Sequence, residues 1–155
     1  MSRFAAATTV APERTRAEIE RTLSRYGATG FAYGWQDGKA IVAFEIPNPQ
    51  RRVRFLLPLP SQEDVSRTQS GRRRHGEGAR TKARDQETRR RWRALGLAIK
   101  AKLETVASGI AEFDTEFLAY LVLPGGMTVG ERISAELPTM LTTGKMLPLL
   151  PGPKE

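Results

Sequence analysis

Apolar residues recur at helical spacing near the start of the chain, alternate in the following stretch, and return to helical spacing through the second half. Between Thr8 and Tyr26, the positions Ile19, Leu23 and Tyr26 fall four and three residues apart. Pro12 suits a first helical turn and Gly27 a terminator, so an amphipathic helix is predicted there. Phe31, Tyr33 and Trp35 then alternate with small or polar residues up to Asp37-Gly38, and Ile41, Val42, Phe44 and Ile46 follow the pair. Asp-Gly between two such runs predicts a β-hairpin, because a type I′ turn needs positive φ at both central residues. After Pro47-Asn48-Pro49, the segment Arg51–Leu59 places Val53, Phe55, Leu57 and Leu59 on one face and predicts a third strand. A three-stranded antiparallel meander backed by the first helix is the expected N-terminal half.

The second half reads as helical. With Asp85 as N-cap, Trp92, Leu95, Ile99, Leu103 and Val106 recur every three or four residues, so one stripe faces the core until Ser108-Gly109. Trp92 is expected to anchor this helix. Residues 110–123 fit either a helix, through Phe113, Phe117, Leu118 and Leu121, or a short strand over 119–123. Pro124-Gly125-Gly126 predicts a turn. A last helix over 128–141 is expected to break near Pro138. The Pro/Leu tail over 145–155 is too proline-rich for regular structure. Helix, three strands, helix is also the element order of double-stranded-RNA-binding domains, but their glycine and lysine signature is missing, and order alone is an analogy.

The length of 155 residues suits one α+β domain with a single core. There is no cysteine, which excludes disulfides, thiolate nucleophiles and thiolate metal sites. The one histidine, His75, excludes multi-histidine zinc sites. No apolar run approaches the roughly 20 residues that span a bilayer, and Met1–Pro12 is too weakly apolar for a secretory signal. A soluble cytoplasmic protein without membrane association is therefore expected.

Charge changes this picture most. The formal net charge is +8. Residues 1–65 carry +2 and residues 103–155 carry −4, whereas residues 66–102 hold thirteen basic and three acidic side chains, +10 in all. The start of this region, 61–84, has Val65 as its one large aliphatic residue and no aromatic, which predicts a basic flexible linker or arm. Arg72, Arg73, Arg74, Arg80, Lys82 and Arg84 would form that arm. Arg89, Arg90, Arg91 and Arg93 would continue it into the opening turns of the long helix. Guanidinium groups stay charged and bind phosphate in a bidentate manner, so the expected partner is nucleic acid, DNA before RNA, held through its backbone. Arginines at a helix start oppose the macrodipole, a cost that an external anion would offset. With about five phosphates neutralised, log affinity should fall with log salt at a slope near −4.5. The rival readings of the run are an acidic protein partner and plain solvation.

Other constellations carry less. Phe31, Tyr33 and Trp35 could stack bases, though aromatics sharing a face of a half-buried strand usually belong to the core. Glu112, Asp114 and Glu116 would share one face of a strand, as a divalent-metal nuclease needs, but on a helix they diverge and become favourable first-turn acids. The glycine pairs lack the lysine of a phosphate-binding loop. His75 is read as part of the arm. No catalytic motif and no cofactor site emerge.

Three blocks, FAYGWQDGKAIVAFEI with VRFLLPLP, RRRWRALGLAIKAKLETVASGI, and EFDTEFLAYLVLPGGMTVGE, occur in this order over most of residues 25–131. Together they resemble a family of small uncharacterised proteins encoded by bacteriophages and prophages. The resemblance implies a phage-derived cytoplasmic protein acting in phage DNA metabolism or host takeover, and it carries no catalytic residue across. The expected function is thus a non-enzymatic nucleic-acid-binding accessory protein. The alternative is an inhibitor or adaptor that binds a host protein or nucleoprotein complex.

Overall fold

The computed structural model describes residues 13–66, 70–73 and 75–146. Its elements are α1 (Glu13–Arg25), β1 (Gly30–Gln36), β2 (Lys39–Ile46), β3 (Arg51–Pro58), α2 (Glu77–Ala107), α3 (Phe113–Glu116), a 3-10 turn (Leu118–Tyr120), α4 (Val129–Ser134) and α5 (Leu137–Thr143). The fold is α+β, as the periodicities predict. The strands form one antiparallel sheet in the order β1-β2-β3.

The β1–β2 hairpin closes at Asp37-Gly38, with φ of 51° and 72°. These are the positive values that a type I′ turn requires, and they bring Gln36 opposite Lys39. That register sets Phe31 opposite Phe44 and Tyr33 opposite Val42 across the first strand pair, and Val42 opposite Phe55 across the second. The alternating positions Val42, Phe44, Val53 and Phe55 are all buried on one face. Onto this face α2 lays Thr88, Trp92, Leu95, Ile99 and Leu103, the stripe read from the sequence extended by one turn. α1 adds Ile19 and Leu23 from the side.

Residues 110–123 resolve as short helical turns. Phe117 is fully buried, edge-on to Phe44 at 5.9 Å and stacked on Phe113 at 4.6 Å. Leu121 and Val122 then form single bridges to Val53 and Thr128, so the strand reading survives only as two isolated pairs. Thr128 caps α4 through a reciprocal capping box with Glu131. The expected last helix is two helices, interrupted at 135–136 ahead of Pro138 in the first turn of α5. The Pro/Leu tail lies outside the described residues, apart from its first two positions.

The basic segment departs from its expectation. α2 begins at Glu77, eight residues before Asp85, and runs for 31 residues. Arg80, Lys82 and Arg84 are therefore helical and not part of an arm. The physical reason is that alanine, arginine and lysine are good helix formers. Once α2 is nucleated by its packed half, each added residue gains a hydrogen bond without a further nucleation cost. Residues 61–66 are also ordered. The Ser61 amide donates to Asp64 Oδ2 at 2.8 Å, the Asp64 amide donates to Ser61 Oγ at 3.2 Å, and Val65 is buried. The backbone bond from Ser61 holds the Asp64 carboxyl below its usual pKa.

Candidate nucleic-acid interface

Because α2 starts early, Arg89, Arg90, Arg91 and Arg93 lie more than three turns inside it. They do not sit on the positive end of the macrodipole, which falls off within the first turn, so the argument from an unfavourable helix start does not apply. The acid in the first turn is Glu77, the favourable choice.

The arginines are not brought to a common surface. At 100° per residue, Arg84, Arg91 and Lys102 project from one flank of α2, and Lys82, Arg89, Arg93 and Lys100 from the other. On the first flank, Arg91 and Lys102 are tied down. Arg91 donates to Glu87 Oε1 at 2.9 Å and to the carbonyl of Pro58 at 2.8 Å, linking α2 to the end of β3. Arg90 clasps both oxygens of the same Glu87 at 2.7 and 2.8 Å. The two guanidinium groups hold the Glu87 carboxyl down at a pKa of about 2. Lys102 reaches Glu116 at 3.3 Å and lies 5.3 Å from the centre of the Tyr120 ring.

The second flank faces α1. There Arg93, Gly96, Leu97 and Lys100 meet Thr15, Ile19, Arg21, Thr22 and Arg25 across a groove of about 390 Å³. Arg21, Arg25, Arg93 and Lys100 are its cations, and none forms an ion pair with a described residue. Glu18 is the single carboxylate in the lining, and Arg14 engages it at 3.3 Å. Lys82 and Arg89 extend the cationic line toward the N-terminus of α2, and both are exposed. Lys82 to Lys100 spans about 27 Å of helix. Arg21 and Arg25 were not singled out from the sequence, because their helix carries almost as many acids as bases. Only the packing of α1 against α2 adds them to the α2 stripe.

The remaining basic positions are dispersed. Arg73 and Arg80 line a shallow depression with Gln62, Glu63 and Ser66. The Arg80 and Arg84 side chains are part-buried. Arg72 and His75 are exposed, and Arg74 lies outside the described residues. The acidic triplet diverges. Glu112 precedes α3, Asp114 accepts two hydrogen bonds from Arg51 at 2.8 Å each, and Glu116 is paired with Lys102. Arg51 holds the Asp114 carboxyl below its usual pKa. Among the described residues no group of three or more potential ligands could hold a metal ion, and no helix is long and apolar enough to cross a membrane.

Fold and groove together describe an α+β protein in which two helices over one sheet face expose a cleft lined by four cations and one carboxylate. No family model matches the chain, and neither a curated protein nor a solved structure is similar to it.

Proposed function

We propose that the chain is a phage-type, non-enzymatic accessory protein that holds the phosphate backbone of nucleic acid in the α1–α2 groove. The observation that carries this reading is the concentration of Arg21, Arg25, Arg93 and Lys100 around one cleft whose single carboxylate is already engaged. Like charges held face to face repel, and a strand of phosphates relieves that repulsion while releasing counterions. Arg90 and Arg91 drop out of the centre of the binding set because both guanidinium groups are held on the Glu87 carboxylate, and Arg93 and Lys100 take that place.

The test is a polarisation titration with single- and double-stranded DNA and RNA over a salt series. If four phosphates are neutralised, the log–log slope is near −3 for a single strand and −3.6 for a duplex. Combined Arg93→Glu and Lys100→Glu substitution should abolish most of the affinity. Binding that ignores both salt and this substitution would overturn the reading. Capture of a host protein after nuclease treatment, lost with the same substitutions, would assign the groove to an acidic protein instead.

A further inference from the structure

We infer that Trp35 is a base-stacking contact and that the polyanion taken by this protein is single-stranded nucleic acid. This rests on the proposed use of the α1–α2 groove and names its substrate more narrowly. The three alternating aromatics of β1 meet different fates. Phe31 and Tyr33 pack edge to face at 4.2 Å, and Tyr33 continues to Trp92 at 6.1 Å, so both join the core. Trp35 lies on the same face but is 63% exposed, the largest side chain among the exposed apolar residues. Its cross-strand neighbour is the small, fully buried Ala40. A core reading therefore holds for the first two rings and fails at the third.

The position of Trp35 follows from its neighbours. The Tyr33 hydroxyl donates to the carbonyl of Arg16 at 3.0 Å, and the Arg16 guanidinium lies 5.3 Å from the Tyr33 ring centre. Two residues along β1, about 7 Å, carry the chain from there toward the hairpin tip. The same direction along α2 leads from Trp92 toward its N-terminal half, because Arg91 bonds Pro58, which pairs with Lys39 at that tip. Trp35 thus stands at the end of the molecule where Arg89 and Lys82 prolong the cationic line of the groove. Lys39 and Asp37 at the tip offset one another in charge. Guanidinium groups that hold the backbone, with a free indole at one end of their line, are the combination used by single-strand binders, where each stacked base adds affinity without sequence choice. A duplex keeps its bases stacked on one another and offers the indole no face.

The experiment uses the full chain and its two tryptophans. Trp92→Phe leaves Trp35 as the one tryptophan, and its selectively excited fluorescence is followed while unlabelled oligothymidylate is added. Quenching on binding is expected. In polarisation titrations with matched single-stranded and duplex 20-mers of DNA and RNA, Trp35→Ala should weaken single-strand binding roughly 5- to 150-fold. Duplex binding should change less than about twofold, and Trp35→Phe should retain most of the single-strand affinity. Circular dichroism and the melting temperature should match wild type, since the side chain is mostly exposed. Should the wild type bind both forms while Trp35→Ala leaves them unchanged, or weakens them equally, this inference is overturned and the groove reading stands. Absence of binding to any oligonucleotide at low salt removes both.

Discussion

Arg91 and Arg93 are two residues apart in one helix, and their surroundings separate the two flanks of α2. Toward β3 and α3, Arg91 and Lys102 are part-buried and spent on Glu87, the Pro58 carbonyl and Glu116. Toward α1, Arg93 and Lys100 are exposed and meet two more cations, Arg21 and Arg25. The first flank uses positive charge to hold the helix on its sheet. On the second, charge does no structural job visible among the described residues. Residue type is the same on both, so a count of arginines cannot separate scaffold from candidate surface; the partners do.

The comparison can be broken most forcefully on the docked side. Phe117, fully buried between Phe44, Phe55 and Phe113, fastens α3 beside α2. Phe117→Ala should cost about 3–5 kcal/mol in urea unfolding, because the ring is lost and the aromatic cluster collapses only in part. On the groove side, Arg93→Glu with Lys100→Glu should leave stability within about 0.5 kcal/mol of wild type. The same variant should weaken oligonucleotide binding at low salt by about tenfold or more. A large stability loss with unchanged binding would invert the assignment of the flanks.

Glu87 sharpens the contrast by pH. Its carboxyl is held at about 2 against an ordinary value of 4.5, so its ion pairs contribute stability that is fully present above the ordinary value. That contribution fades as pH falls through about 2. Glu87→Gln should therefore destabilise by about 1 kcal/mol at neutral pH, with the gap to wild type closing in acid, as followed by thermal melts from pH 7 to pH 2. With Arg90 and Arg91 released, the variant should also bind oligonucleotides more tightly at low salt. The smallest effect is expected at Gly96, on the floor of the groove, where an added Cβ would lie 3.4 Å from Ile19 Cγ1, an ordinary contact. Gly96→Ala should raise stability by about 0.5–1 kcal/mol through helix propensity and leave binding unchanged.

Much of the architecture is legible in residue order. The spacing of Ile19 and Leu23, the alternation about Asp37-Gly38, and the stripe from Trp92 to Leu103 each became the element they predict, because burial of one face needs those periods and no others. The basic stretch misled at its boundary. Low apolar content argues for an arm over 61–84, whereas helix extension from a packed segment needs little hydrophobicity, and buried Val65 with the Ser61–Asp64 hydrogen bonds holds the turn at 61–66. Trp35 misled in another way, since strand alternation states which face a side chain takes but not where the helical layer above it ends.

The candidate surface divides along the same line. That positive charge crowds the middle of the chain, and that no cysteine or histidine cluster exists for other chemistry, follows from the residues alone. Which cations are neutralised and which remain open depends on three-dimensional neighbours. Glu87 is close in sequence to its arginines, yet Pro58, Glu116, Arg21 and Arg25 are brought to α2 only by folding. Coulomb energy is governed by distance and burial, and those are properties of the packed chain.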